Sequence, residues 1–177
     1  MKLILLCGKA ESGKSTSADF IKKYLEENHV KVIKTKITNY LRLYAKEITG
    51  YNEETDEKPR DLLQNLGDIV RSIDINFLLK RLDEDIKVYS RFADYIIIDD
   101  IRFALEVNFF KERYDCLVFK LERNKSNNLT SKQRKHSTET GLDDFNDYDK
   151  VIDNNGSLED LENKLRKYLG EYYEFKR

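Results

Sequence analysis

Tryptophan is absent from this chain, proline and methionine occur once each, and histidine and cysteine twice each. These shortages exclude several kinds of protein. A structural zinc site needs about four Cys or His ligands, and His29 and His136 both lie far from Cys7 and Cys116. Two thiols in apolar, strand-like runs suit a reducing cytosol better than a disulfide scaffold, so a cytoplasmic location is expected. One proline and seven glycines exclude a low-complexity chain. Neither sign of charge dominates: 32 Lys and Arg stand against 33 Asp and Glu, a net charge of −1. That balance argues against a binder of nucleic-acid polymers, while leaving room for a local basic cleft. No run approaches the roughly 20 apolar residues of a membrane span. The apolar start Met1–Cys7 stops at Gly8-Lys9, short of the roughly 7–15-residue core of a signal peptide.

What is present is enough for one domain over residues 1–177, with 40% hydrophobic residues for its core. Lys2–Cys7 is a continuous apolar run, the pattern of a buried parallel strand. A loop over Gly8–Ser15 precedes a helix with Ala18, Ile21, Tyr24 and Leu25 on one face. Val30–Thr35 reads as a second strand, and Leu41, Ala45 and Ile48 predict a helix that stops at Gly50. After a polar loop over Tyr51–Lys58, Pro59 opens two helical segments, Pro59–Ile73 and Ile75–Tyr89. Strands follow at Tyr95–Ile98, Cys116–Leu121 and Lys150–Ile152, with a helix over Ala104–Tyr114. Glu122–Gly141 is polar and aperiodic, the pattern of a mobile lid. Ser157 and Asp160 make a capping-box start for a last helix with Leu158, Leu161, Leu165, Tyr168 and Tyr172 on its core face. Alternating strands and helices predict an α/β fold with a mostly parallel sheet.

Gly8-Lys9-Ala10-Glu11-Ser12-Gly13-Lys14-Ser15 fits G-x-x-x-x-G-K-[ST] at every fixed position. Such a loop turns backbone N–H groups toward phosphate, and the next helix adds its positive dipole end. Lys14 is expected to reach the β- and γ-phosphates, and Ser15 to ligate Mg²⁺. A GTPase switch is excluded: the third positions after Asp99 and Asp100 are Arg102 and Phe103, not glycine. Asn124-Lys125-Ser126-Asn127 lacks the aspartate that reads guanine.

The helix over Pro59–Ile73 carries three stripes at 100° per residue. Leu62, Leu66, Ile69, Val70 and Ile73, with Leu63 at the edge, form the expected core face. Asp61, Asn65, Asp68 and Ser72 form a solvated one. Arg60, Gln64, Gly67 and Arg71 form the third, and two guanidiniums beside a glycine suit a closely approaching phosphate. At the carboxyl end of the third strand, Asp99 or Asp100 is placed to hold Mg²⁺, with Arg102 next to a transferring phosphoryl group. The polar segment contributes Arg123, Lys125, Lys132, Arg134, Lys135 and His136 as lid cations.

Together these residues resemble the bacteriophage-type deoxynucleoside monophosphate kinases and their relatives, the animal phosphomevalonate kinases. The similarity runs through Gly8–Thr16, Leu41-Arg42, Ala45 and Gly50, and is strongest over Lys58–Gly67 with Arg71. It continues in Asp100-Ile101-Arg102-Phe103 with Glu106, in His136-Ser137-Thr138-Glu139, and in Tyr148–Ser157. Ala104-Leu105 depart from the Pro-Asn frequent in relatives. The resemblance implies a P-loop NTPase three-layer fold, nucleoside monophosphate kinase-like, with a five-stranded parallel sheet and a mobile lid over about residues 122–141. It implies an acceptor-binding helical region over about residues 38–90. Arg42, Lys58, Arg60, Gln64, Gly67, Arg71 and Arg102 would line the acceptor site. ATP would contact Lys9, Ala10, Glu11, Ser12, Gly13, Lys14, Ser15, Thr16 and Arg123, with Asn154 and Gly156 near adenine. Ser15 and, by the family's register, Asp100 would hold Mg²⁺. Lys14, Arg71, Arg102 and Arg134 would act on the transferring group. The implied reaction is phosphoryl transfer from ATP, with Mg²⁺, to a (deoxy)nucleoside monophosphate. Phosphomevalonate or another small phosphorylated metabolite is the alternative acceptor, and a nucleotide-gated binding protein without turnover the alternative class. No membrane partner is implied, and a monomer and a homodimer are equally compatible with the sequence.

Overall fold

The computed structural model describes residues 1–52, 59–124, 130–131 and 135–174. Five strands form one sheet: β1 (Lys2–Cys7), β2 (Val32–Thr35), β3 (Tyr95–Ile101), β4 (Cys116–Glu122) and β5 (Lys150–Asp153). Every pairing is parallel, in the order β2-β3-β1-β4-β5. All five carboxyl ends therefore share one edge, where an open α/β sheet binds its ligands. β1 lies at the centre and is buried along its whole length, which accounts for its unbroken apolar run.

Helices cover both faces. α1 (Lys14–Glu27) and the C-terminal α7 (Leu158–Glu174) pack on one side, over Ile4, Leu6, Ile97 and Phe119. On the other side α2 (Asn39–Thr49), α3 (Arg60–Ile73), α4 (Phe77–Tyr89) and α5 (Ala104–Lys111) cover Leu3, Leu5, Ile96 and Ile98. The single-turn α6 (Ser137–Thr140) sits at the carboxyl edge. This is the three-layer architecture expected, and among the described residues no helix is long and apolar enough to cross a membrane.

Local chemistry sets the ends. Gly50 closes α2, its N–H bonded to the Lys46 carbonyl at 2.8 Å. Ser157 and Asp160 form the capping box: the Asp160 N–H donates to Ser157 Oγ at 3.1 Å, and the Ser157 N–H to the Asp160 carboxylate at 2.9 Å. The helix predicted over Ala104–Tyr114 stops at Lys111, and the Tyr114 hydroxyl instead donates to Asp83 of α4 at 2.7 Å.

Three hydrophobic assignments change. Ile69 and Ile73, expected on the core face of α3, are 56% and 73% exposed. α3 packs against α2 and α4 while turning its arginine stripe to a cavity, so its buried side is rotated toward Leu63 and Val70. Leu158 is exposed too, because it stands on the first turn of α7, ahead of the sheet contact that buries Leu161, Leu165 and Leu169. Leu165→Ala is expected to lower stability by about 3 kcal/mol, and Leu158→Ala by less than about 0.5 kcal/mol. Urea unfolding of the two variants checks which side of α7 faces the core.

Candidate active site

The loop leaving β1 wraps toward the start of α1. Gly13 has φ +97°, a left-handed conformation, and a Cβ there would collide with the side-chain amide of Asn154. That amide, on the chain leaving β5, donates to the Ser12 carbonyl at 2.9 Å and holds the loop from below. The buried Lys14 ammonium donates to the carbonyls of Gly8 at 2.6 Å and Lys9 at 2.7 Å. Burial, followed by the nearby Arg102 guanidinium, holds its pKa well below the usual lysine range.

The carboxyl end of β3 contains a register shift. Leu5 pairs with Ile98 and Cys7 with Ile101, so Asp99 and Asp100 together oppose Leu6. A bulge of this kind re-aims side chains, and here it separates the two carboxylates. Asp100 accepts the N–H of Ile37 at 2.9 Å, the N–H of Thr38 at 3.0 Å and the Thr38 hydroxyl at 2.7 Å. It is thereby committed to folding the turn between β2 and α2. Asp99 is fully buried, and neither of its oxygens has a hydrogen-bond partner. The Ser15 side chain lies beside it, and the Lys36 ammonium is 3.8 Å away. Burial and then the Asp100 charge raise its pKa above the usual carboxylate value.

Three guanidiniums are each braced by a carboxylate. Arg60 of α3 reaches Glu11 of the loop at 2.7 Å. Arg71 pairs with Asp68 at 2.7 Å and lies over the Phe103 ring, 5.0 Å from its centroid. Arg102 donates to the Gly8 carbonyl and to Glu139, both at 3.1 Å. Each brace uses one or two of five N–H donors and leaves the others for a ligand. Gly67 admits a close neighbour, as its position in the stripe predicts, but the neighbour is Arg71: a Cβ on Gly67 would stand 3.0 Å from that guanidinium.

α6 ties the two sides together. The buried Glu139 accepts the Ala10 N–H at 2.8 Å with its other oxygen. His136 caps α6, its Nδ1 taking the Thr138 N–H, while Nε2 meets Asp68 of α3 at 3.0 Å. Arg102 and Phe103 donate their backbone N–H groups to Glu106 Oε2 at 2.7 and 3.1 Å. Burial pushes the Glu106 carboxyl up to about 7, against the pull of the Arg102 N–H.

A cavity of about 570 Å³ runs along this edge. Loop residues from Ala10 to Thr16 line it together with Arg42, Arg60, Gln64, Arg71, Arg102 and Arg123. Asp99 and Asp100 both line it. Lys9, Asn154 and Gly156 are not among the residues that line it. The Lys9 ammonium pairs with Asp143 at 3.0 Å. Asn154 is turned under the loop, and Gly156 sits against Asp160. Lys58, Lys125, Lys132 and Arg134 lie outside the described residues, as does most of the loop predicted over Tyr51–Lys58. The partnerless state of Asp99 and the brace from Glu139 had no signal in the sequence, since a bulge and a contact over 129 residues leave no local pattern.

A family model of deoxynucleotide monophosphate kinases matches residues 34–165. The fold is similar to that of dephospho-CoA kinase from Campylobacter jejuni, at 13% identity over 100% of both chains and a TM-score of 0.56. It is also similar to that of a sugar kinase from a Janibacter species, at 14% identity over 96% of this chain and 94% of that one, with a TM-score of 0.52. At such identities these two likenesses speak for the fold alone. No curated protein matches the sequence.

Glu106 makes stability depend on pH. A carboxyl raised in the folded state contributes stability that is fully present below its unfolded value of about 4.5 and lost as pH rises through about 7. Relative to Glu106→Gln, the wild-type Tm is expected to gain as pH falls from about 8 to about 5. A Tm difference that stays flat across that range contradicts the assignment.

Proposed function

Because the chain belongs to the deoxynucleotide monophosphate kinase family, we propose that it transfers the terminal phosphoryl group of ATP to the phosphate of a deoxynucleoside monophosphate, giving the diphosphate and ADP. That it is a kinase follows from the family; the acceptor is our reading. The observation that carries it is one cavity lined both by the G-x-x-x-x-G-K-[ST] loop and by the guanidiniums of Arg60, Arg71 and Arg102. Two polyanions need such a site, since phosphoryl transfer asks the protein mainly for position and charge.

The loop N–H groups and the α1 dipole would hold the donor phosphates. Lys14 would leave the Gly8 and Lys9 carbonyls for the β- and γ-phosphate oxygens. Arg60 and Arg71, with Arg42 and Gln64 beside them, would grip the acceptor's phosphate. Arg102, braced on Glu139, would meet the charge developing on the transferring group. The bond from the γ-phosphorus to the β-bridging oxygen breaks as an oxygen of the acceptor's phosphate forms the new one. That oxygen is already anionic, so no general base is needed, consistent with the scarcity of histidine. Asn154 would act as a strut for the loop, not as a reader of adenine.

The residues also fit a hard cation. Asp99 offers two oxygens without a hydrogen-bond donor, next to the Ser15 side chain and 3.8 Å from the Lys36 ammonium. Among the described residues no three His, Cys, Asp or Glu side chains converge on one point. That donor set suits Mg²⁺, which takes one or two carboxylates and fills its other positions with water and substrate phosphates. We therefore assign Ser15 and Asp99 to it, in place of the expected Ser15 and Asp100. Bound there, Mg²⁺ would neutralise charge on the bridging phosphate oxygens.

The test is ADP release measured against a panel of deoxy- and ribonucleoside monophosphates. Turnover stimulated by one or more deoxynucleotides is expected, and ATP turnover that none accelerates contradicts the reading. Lys14→Ala is expected to lower kcat by about 10²-fold or more. Arg71→Ala is expected to raise the acceptor KM about tenfold, with a change of less than about threefold in KM for ATP. A separate pair tests the metal assignment. Asp99→Asn is expected to weaken the Mg²⁺ dependence of turnover about tenfold or more while leaving the fold intact. Asp100→Asn is expected to cost about 2 kcal/mol of stability instead. The reverse pattern in Mg²⁺ titrations and thermal melts returns the role to Asp100.

A further inference from the structure

Glu106 is a buried carboxylate to which the reaction above gives no part. It lies on the first turn of α5 and is only 9% exposed. One oxygen, Oε2, accepts the two backbone N–H groups that start the helix. The side chain lines the main cavity and also a second one of about 570 Å³. That second cavity is walled by Ile75, Leu78, Leu79, Phe103 and Leu105, and it shares Arg71 with the first. The Arg71 guanidinium therefore stands at a junction between the cavity of the phosphate loop and an apolar slot lined by Glu106.

On the reading that the acceptor is a deoxynucleoside monophosphate, we propose that Glu106 selects it, its Oε1 accepting a hydrogen bond from a sugar hydroxyl or a base N–H in the slot beyond Arg71. A second phosphate is a poor occupant there, because Asp68 and Glu106 both line the slot and the guanidinium of Arg71 is already paired with Asp68. A purely apolar occupant is poor as well, because it would offer the buried carboxylate no donor. A helix cap alone needs one oxygen, and Oε2 already serves it. A site built this way rejects analogues that lack the donor far more strongly than a purely apolar pocket can.

Glu106→Gln tests the assignment. The glutamine oxygen can keep the two backbone N–H groups, while its amide turns a donor toward the cavity where an acceptor stood. The KM of the best deoxynucleoside monophosphate is expected to rise about tenfold or more, with a much smaller change in KM for ATP. A merely structural role would lower kcat and thermal stability without that split. The two sources of the donor are separated by 2′,3′-dideoxynucleoside monophosphates and by a series of bases. If the 3′-hydroxyl is read, the wild type loses about tenfold on the dideoxy compound and the variant loses little more. If a base N–H is read, the variant's loss persists with the dideoxy compound and changes with the base. Should Glu106→Gln fail to fold, the same analogues assayed on the wild type carry the test alone. The proposal is overturned if a folded Glu106→Gln variant shifts the acceptor's KM by no more than about twofold, or if removal of no donor from the acceptor shifts it by more than that. In that event wild-type turnover of deoxynucleotides leaves the kinase reading standing, whereas no turnover of any of them removes both.

Discussion

The extra residue in β3 is the constraint on which the site depends. Without it, alternation would turn Ile101 away from Ile96 and Ile98, and out of the core that all three share. With it, two consecutive aspartates oppose one residue of β1 at the carboxyl edge of the sheet. One carboxylate turns to the neighbouring β2–α2 turn and saturates itself there. The other stays buried beside the loop after β1, with the Lys36 ammonium 3.8 Å away and no hydrogen-bond donor on either oxygen. An ionised group in that position is costly unless a cation or a donor arrives. The same device that completes the apolar layer thus creates a site that is stable only in part until it is filled.

The arginines show a complementary arrangement. Left alone, guanidiniums crowded round one cavity repel one another and carry much side-chain entropy. Glu11, Asp68 and Glu139 each hold one of them, at 2.7 to 3.1 Å. These pairs add little stability where they are exposed. Their effect is to set position: a phosphate meets donors already aimed, with less ordering left to do on binding. Gly67 belongs to the same arrangement. Its missing side chain makes room for Arg71, so the cost of glycine in a helix is offset by the placement of a guanidinium four residues on.

How much of this was legible in the sequence follows from the range of each signal. The phosphate loop was readable because its residues are contiguous and each type has a stated task. The stripe Arg60, Gln64, Arg71 was readable because helical periodicity carries over one element, and all three line the cavity. Periodicity failed on the same helix for Ile69 and Ile73, since α3 faces both a core and a cavity and its apolar arc is not its buried arc. The division of labour between Asp99 and Asp100 was not readable. It rests on a register shift between strands 90 residues apart in the chain, and adjacent identical residues look alike until the bulge separates them. Asn154 was placed near the site by family pattern, but its amide serves the loop carbonyl and not the cavity.

The four-residue helix α6 gives the last step. It contacts the loop after β1 and Arg102 through Glu139, and α3 through His136 on Asp68, which in turn holds Arg71. A phosphate that drew Arg71 away from Asp68 would leave His136 beside a carboxylate that has lost its guanidinium. A phosphate that draws Arg102 away from Glu139 changes the other end of the same turn of helix. Energetic coupling between two sites is reciprocal, so whatever preference one ligand imposes on α6 is felt equally by the other. A change at either place therefore reaches the same turn of helix, through Arg71 and Asp68 to His136 and through Arg102 to Glu139.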